Sequence, residues 1–324
     1  YNNECKFNFD HKYKHSFNEF TFFKSSVKLN IKSKLNTSKL IRKDVLEFTF
    51  PIITEQVLII LMGVVNAIMA SRIGNEAVSG IGMVDSINNI FIAFISALAV
   101  GSTVVVAHYI GQDNVGNANE TVKQGLFSGF LLTLTITLLI FIFRYNIINI
   151  LYGSAEPLVK ENAYAYLDIT LFSYPLIAIT SITCGVLRGA GDTKTPMKIT
   201  ILMNFINIVL SYILIYGIDI GILGIHIYFP GFKVKGAALG ISTARLIGAI
   251  LSISVLVRGS RIIKLKKLPL LKIDINIQKS IFGVGIPASV ESLLFQGGKL
   301  ITQIFIVTMG TSSIAANYVA GSIF

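Results

Sequence analysis

The sequence contains no tryptophan, only two cysteines and four histidines among 324 residues. Cys5 and Cys184 are far apart and form no C-x-x-C pair, so neither a disulfide framework nor a metal knuckle is indicated. His11 and His15 stand i, i+4 in a lysine-rich tail without further ligand types, so they read as solvated side chains. Charge is scarce as well: 14% of residues are charged and 53% hydrophobic, against about 25% and 45–50% in an ordinary soluble domain. The net charge of +11 could suggest a nucleic-acid groove, but basic and aromatic residues do not interleave, and the charge lies between apolar segments. That distribution fits cytoplasmic loops beside an acidic leaflet. No Ser/His/Asp, Cys/His or HExxH arrangement is visible, so an enzyme is not expected. GAGDTKT looks superficially like a phosphate loop. Thr193 stands before Lys194 where that loop needs glycine, and no strand leads into it. No cofactor is expected, and no nucleotide-binding domain is present that could make ATP the energy source.

What the chain has in quantity is long apolar segments. Runs of about 20 apolar residues span the hydrocarbon of a bilayer as helices. They fall at 47–71, 80–108, 122–143, 162–187, 196–217, 236–257 and 281–309, and an eighth begins near Ser312. The breaks between them carry turn residues, among them SRIGNE, YGSAEP, RGAGDTKTP and GIDIGILGIHIYFPGFK. In RGAGDTKTP, Thr195 is placed to cap the next helix and Pro196 to take its first position. Residues 1–40 form a polar, basic extension without the apolar core of a signal peptide. Lys and Arg crowd into this tail, into RGAGDTKTP and into the basic linker 259–280, which places the N-terminus in the cytoplasm of a multi-pass cell-membrane protein.

The chain also repeats itself. KDVLEFTFPIITEQVLIIL (43–61) aligns without gaps on KSIFGVGIPASVESLLFQG (279–297). At this offset of 236 residues Pro51 meets Pro287, Glu55 meets Glu291, Gly74 meets Gly310 and Ser86 meets Ser322. Six helices and a linker lie between, so the second copy starts on the same side as the first. The repeat is therefore parallel, a common plan in secondary transporters. The expected architecture is an all-α polytopic membrane protein. A six-helix lobe occupies 41–258, followed by the linker and the first one to two helices of a second lobe, 281–324, from a twelve-helix parent.

Polar residues inside these helices are the candidate sites. A glutamate in a membrane helix is costly unless it faces protein, water or a partner. Glu55 and Glu291 are therefore candidates for binding the coupling cation. Pro51 and Pro287, one turn earlier, free a backbone carbonyl and allow a hinge. Asn66 lies eleven residues after Glu55, within about 20° of the same face and ~16 Å along the helix. Its repeat counterpart is Thr302. Asn204, Asn207 and Ser211 share one face of the fifth helix, where interhelical hydrogen bonding is the plainer alternative to a site. Asp85 pairs with Asn89 at i, i+4, and Lys299 forms a polar face with Gln296 and Gln303.

TFPIITEQVLIILMGVVNAIMASRIGNEAVSGIGMVDSINN resembles the first two helices of the MATE (multidrug and toxic compound extrusion) transporters. LRGAGDTKTPMKITILMNFINIVLSYILIYG is similar to their fourth-to-fifth helix region, and VKGAALGISTARLIG to the sixth. GIPASVESLLFQGGKLITQIFIVTMGTSSIAANYVAGSI is similar to the start of the second lobe. The resemblance covers 41–324. It implies export of small organic, often cationic, compounds in exchange for Na⁺ or H⁺, by a protein that is a monomer when full length. Many members carry an acid where Asn66 stands, and an Asn-x-x-x-Asp pair where this chain has Asn207 and Ser211. A threonine often follows Gly-Ala-Ala-Leu-x, and here that residue is Ile241. The implied first-lobe cation site thus lacks its acids, which shifts the expectation to Glu55 and Glu291. A lipid-linked oligosaccharide flippase of the same superfamily and a non-transporting membrane scaffold are the alternatives.

Overall fold

The computed structural model describes residues 45–222, 225–260, 263–265 and 273–322. The extension 1–40, with Cys5, His11 and His15, lies outside the described residues, as do 261–262 and 266–272 of the basic linker. The chain divides at Pro51 into two units, and all packing reported below is within the second, Ile52–Phe324.

Nine helices follow in order among the described residues. They are α1 (Val45–Ser71), α2 (Asn75–Gly111), α3 (Val115–Tyr152), α4 (Pro157–Leu171), α5 (Tyr174–Gly189), α6 (Lys194–Tyr216), α7 (Lys233–Arg258), α8 (Ile275–Val307) and α9 (Thr311–Gly321). Six of them are long and apolar enough to cross a membrane, or seven spans if the bent pair α4–α5 is one. The fold is the expected all-α polytopic bundle, and each apolar run of the sequence lies within a helix or the α4–α5 pair to within two residues at its C-terminal end. Every helix or the bent pair starts before its run, and α2, α3, α5 and α7 also continue past it, α3 most of all. An apolar run marks only the hydrocarbon-spanning part, whereas a helix continues into the wet interface and stops at its caps. Asn114 caps α3 by accepting from the Asn117 N–H at 3.1 Å. Asp274 caps α8 by accepting from Asn276 and Ile277 at 2.9 and 3.3 Å.

Two local features differ from the sequence expectation. The span anticipated at 162–187 is broken at Phe172 and Ser173, with a 52° bend between α4 and α5. Pro175 has no N–H to offer and cannot continue the helix through this point. The segment between α6 and α7 forms an antiparallel hairpin, β1 (Gly217–Ile222) with β2 (Ile225–Pro230). Gly217 opens it at φ +79°, where a Cβ would overlap the Phe229 carbonyl oxygen.

The α5–α6 turn is held by Asp192, not capped by Thr195. α6 begins at Lys194, and the buried Asp192 carboxylate accepts from Thr195 N–H at 3.0 Å and from Thr195 Oγ1 at 2.6 Å. It also accepts from Ser260 at the start of the linker. Asp192→Ala removes a cap and an interhelical tie together. The expected loss is about 1–2 kcal/mol, read as a lower unfolding temperature in detergent, with Asp192→Asn falling between the two.

α2 is the central element: half of its most apolar window is buried, against 11% for α8. Val84, Met83, Tyr152, Leu167 and Leu171 pack at one end, and Val106, Val122, Ile182, Leu256 and Ile281 at the other. Leu134, Leu138 and Ile142 of α3 face outward, as a lipid-facing surface requires. Close helix approach relies on small residues. On α7, Gly236, Gly240, Ala244 and Gly248 recur every four residues. Gly236 abuts the Leu214 carbonyl, Gly240 the Ser211 backbone and Gly248 the Met203 side chain, so α6 and α7 lie nearly backbone to backbone.

Candidate functional site

Two polar clusters form inside the bundle at different depths. Counted from the α1–α2 turn, Glu55 lies ~24 Å back along α1, and Asp85 ~15 Å along α2.

Glu55 is 4% exposed. Nη1 of Arg188 donates to both of its carboxylate oxygens, at 2.9 and 3.0 Å, and Thr200 Oγ1 approaches at 3.4 Å. α1 supplies the acid, the last turn of α5 the cation and α6 the hydroxyl. Arg188 sits where the α5 dipole favours positive charge. One turn further along α1, Asn204 of α6 donates to the Leu58 carbonyl at 2.9 Å. The pairing explains how a carboxylate is tolerated here, since a buried charge needs a partner and further hydrogen bonds. It also means that a cation reaching Glu55 competes with a guanidinium already in place.

Asp85 is half-buried and has partners on several helices. Tyr318 of α9 donates to its Oδ2 at 3.0 Å, and Asn88 Nδ2 to its Oδ1 at 3.2 Å. Tyr174 of α5 in turn donates to Asn88 Oδ1. Arg245 of α7 acts on the same carboxylate, as does the Tyr166 hydroxyl of α4. Arg245 also donates to Ser173 Oγ at 2.7 Å, bridging the break between α4 and α5.

The remaining sequence candidates do not join these clusters. Asn207 is fully buried in α6, and neither atom of its amide has a hydrogen-bond partner among the described residues. Ser211, one turn on, is buried against Gly240. Asn66 is half-buried. Glu291, Lys299 and Thr302 are exposed on α8. Lys299 Nζ lies 4.9 Å above the Phe295 ring, and Thr302 bonds back to the Gly298 carbonyl at 3.0 Å. Gln303 is buried and accepts from Asn317 at 2.6 Å. Pro51 lies within α1 and Pro287 within α8. Among the described residues, no group of three or more His, Cys, Asp or Glu is placed to hold a metal ion.

Sequence reasoning missed Arg188, Tyr318, Tyr166 and Tyr174. Arg188 had a signal: it is the sole basic residue of YPLIAITSITCGVLRG, and a buried acid elsewhere needs such a partner. In the sequence it opens the turn RGAGDTKTP and reads as a loop charge. The tyrosines had none, because their rings suit an apolar helix whether or not the hydroxyl is used.

Residues 51–213 match the MatE family model. The probable multidrug resistance protein NorM of Thermotoga maritima is 30% identical over 281 residues, covering 86% of this chain and 57% of that protein. The multidrug export protein MepA of Staphylococcus aureus is 22% identical, covering 85% and 58%. The chain thus spans somewhat over half the length of the curated relatives it matches. Among solved structures, it is similar to an inward-facing multidrug resistance MATE family transporter of the MOP superfamily. The TM-score is 0.71 at 23% identity, over 81% of this chain and 56% of that one. A MATE structure in the straight conformation gives the same TM-score at 23% identity, over 86% and 60%.

Proposed function

The chain belongs to the MatE family of membrane transporters, and from that premise we propose that the protein containing it exports organic, often cationic, compounds by alternating access, in exchange for Na⁺ or H⁺. In this reading residues 41–258 form the first lobe, 259–280 a cytoplasmic linker and 281–324 the start of the second lobe. The observation that carries the proposal is the buried Glu55–Arg188 pair. It is an ionic contact between helices inside an apolar bundle, and a cation or proton at Glu55 would release Arg188. Such a contact has two discrete states, and a coupling ion acts by binding one of them better. One charge crossing 100 mV contributes about 2.3 kcal/mol, a bias of about 50-fold, which is ample for export. Glu291, at the matching place in the second copy, is the proposed partner acid. The flippase alternative calls for free cationic groups lining a cavity, whereas Arg188 and Arg245 are both engaged with neighbours.

Efflux of ethidium or norfloxacin from cells carrying the full-length gene tests this. The wild type lowers intracellular dye while a cation gradient stands, and Glu291→Gln loses at least tenfold of the gradient-dependent rate. A wild type that moves neither compound would remove the transport assignment. Unchanged coupled efflux in the variant would remove Glu291 from it.

A further inference from the structure

We propose that Asp85 is a proton-binding site at the seam between the two repeats, and that its protonation parts α9 from α2. The inference rests on the antiporter reading for its purpose, but the site itself can be tested without transport.

The seam lies close to the axis relating the two copies. At the repeat offset Tyr318 is the counterpart of Gly82. A Cβ on Gly82 would fall 2.9–3.0 Å from the Cβ and ring carbons of Tyr318. A residue that touches its own counterpart sits near the pseudo-two-fold axis. Earlier along both helices, Ser79 Oγ donates to the Thr311 carbonyl at 2.9 Å, so α2 and α9 run parallel from a common end. Any rocking of one copy against the other acts on this contact.

Asp85 is the ionisable group that faces the seam from α2. Its partners divide into two sets. Asn88, Tyr166 and Arg245 belong to the first copy and move with it. Tyr318 belongs to the second and departs with α9. While the helices touch, the carboxylate accepts the Tyr318 hydroxyl. Once they part, the anion loses that donor, and a proton from water is the smallest replacement. Conversely, a proton on the carboxyl removes its negative charge and leaves it a weaker acceptor for the Tyr318 hydroxyl. Protonation and separation therefore favour each other, as linkage requires.

The other groups around the site are consistent with a proton rather than Na⁺. Tyr318, Tyr166, Arg245 and the Asn88 amide present donors or positive charge, whereas Na⁺ needs acceptor oxygens. From α5, Tyr174 reaches the site only through Asn88. From α3, Tyr152 donates to the Met83 carbonyl at 3.1 Å. On α8 the charged group Lys299 is exposed over Phe295.

The test is infrared difference spectroscopy of the full-length protein in liposomes, recording the protonated-carboxyl band as pH is lowered. The wild type should show a band that Asp85→Asn removes. Tyr318→Phe, which deletes only the departing donor, should move the midpoint of that band up by half a pH unit or more. A band unchanged in Asp85→Asn, or a midpoint unmoved in Tyr318→Phe, overturns the proposal. Ethidium transport is read in the same liposomes. Asp85→Asn should lose at least tenfold of pH-driven accumulation while keeping downhill equilibration, and full pH-driven accumulation would overturn its coupling role. If the wild type moves no ethidium, the antiporter reading fails, and the infrared midpoints still decide the site.

Discussion

Replacing Arg188 by glutamine destabilises the protein far more than replacing Glu55 by glutamine, and the double replacement recovers most of the difference. Removing one partner of a fully buried ion pair costs about 3–5 kcal/mol, because the other charge is stranded. The side chain of Arg188 keeps 30% exposure whereas that of Glu55 keeps 5%. Solvent reaches the cation and not the acid, so the two single variants are unequal. Glu55→Gln leaves an arginine that can turn toward water or headgroups and retains an amide beside Thr200. Arg188→Gln leaves a carboxylate buried in α1 with only a long contact to Thr200. The expected loss is about 2–3 kcal/mol for Arg188→Gln and under about 1 kcal/mol for Glu55→Gln. Unfolding temperatures of the four proteins in one detergent give the cycle. Equal losses for the two single variants would remove the asymmetry, and a double loss equal to the sum of the single losses would show that the pair contributes no coupling between α1 and α5.

Gly101→Leu detaches α8 from the first lobe, whereas Gly283→Ala on α8 itself is harmless. A Cβ at Gly101 would overlap the carbonyl oxygen of Ile281 and lie 3.1 Å from the Gly285 nitrogen. Both neighbours are backbone and cannot rotate away. Overpacking of this kind costs about 1–3 kcal/mol for a well-packed site, and a leucine requires the helices to separate. Gly283 has nothing within 4 Å of a built Cβ. Alanine there gains about 0.5–1 kcal/mol of helix propensity over glycine. The expected result is a lower unfolding temperature and faster proteolysis within the linker for Gly101→Leu, with neither change for Gly283→Ala. The contrast separates interhelical fit from any general intolerance of glycine replacement.

The number, order and approximate extent of the helices were legible in the sequence because apolar length is a strong constraint in lipid. Helix ends were less so: α8 starts where Asp274 caps it, outside its apolar run. The bend at Phe172–Ser173 was hidden because the segment remains apolar throughout, so that only Pro175 marks it. The 217–230 hairpin was read as plain punctuation because its glycines and proline dominate the pattern. At the site, Glu55 could be singled out by its position in an apolar run. Its partner Arg188 is 133 residues away, and no periodicity within one helix can show which helix lies opposite. The same holds for Asp85, whose shell comes from α4, α5, α7 and α9.

The early part of the linker is stitched to the first lobe. Ser260 bonds to Asp192, the Lys264 N–H to Asn119 Oδ1 at 3.0 Å, and the Leu265 N–H to the Leu256 carbonyl at 3.0 Å. From Leu265 to Ile273, just before the cap of α8, the chain has eight steps, and a fully extended chain gains no more than about 3.6 Å per residue. The foot of α8 is thus leashed within about 30 Å of Leu265 in every state the protein visits. Lengthening that leash with inserted residues would widen the circle without altering a single packed side chain.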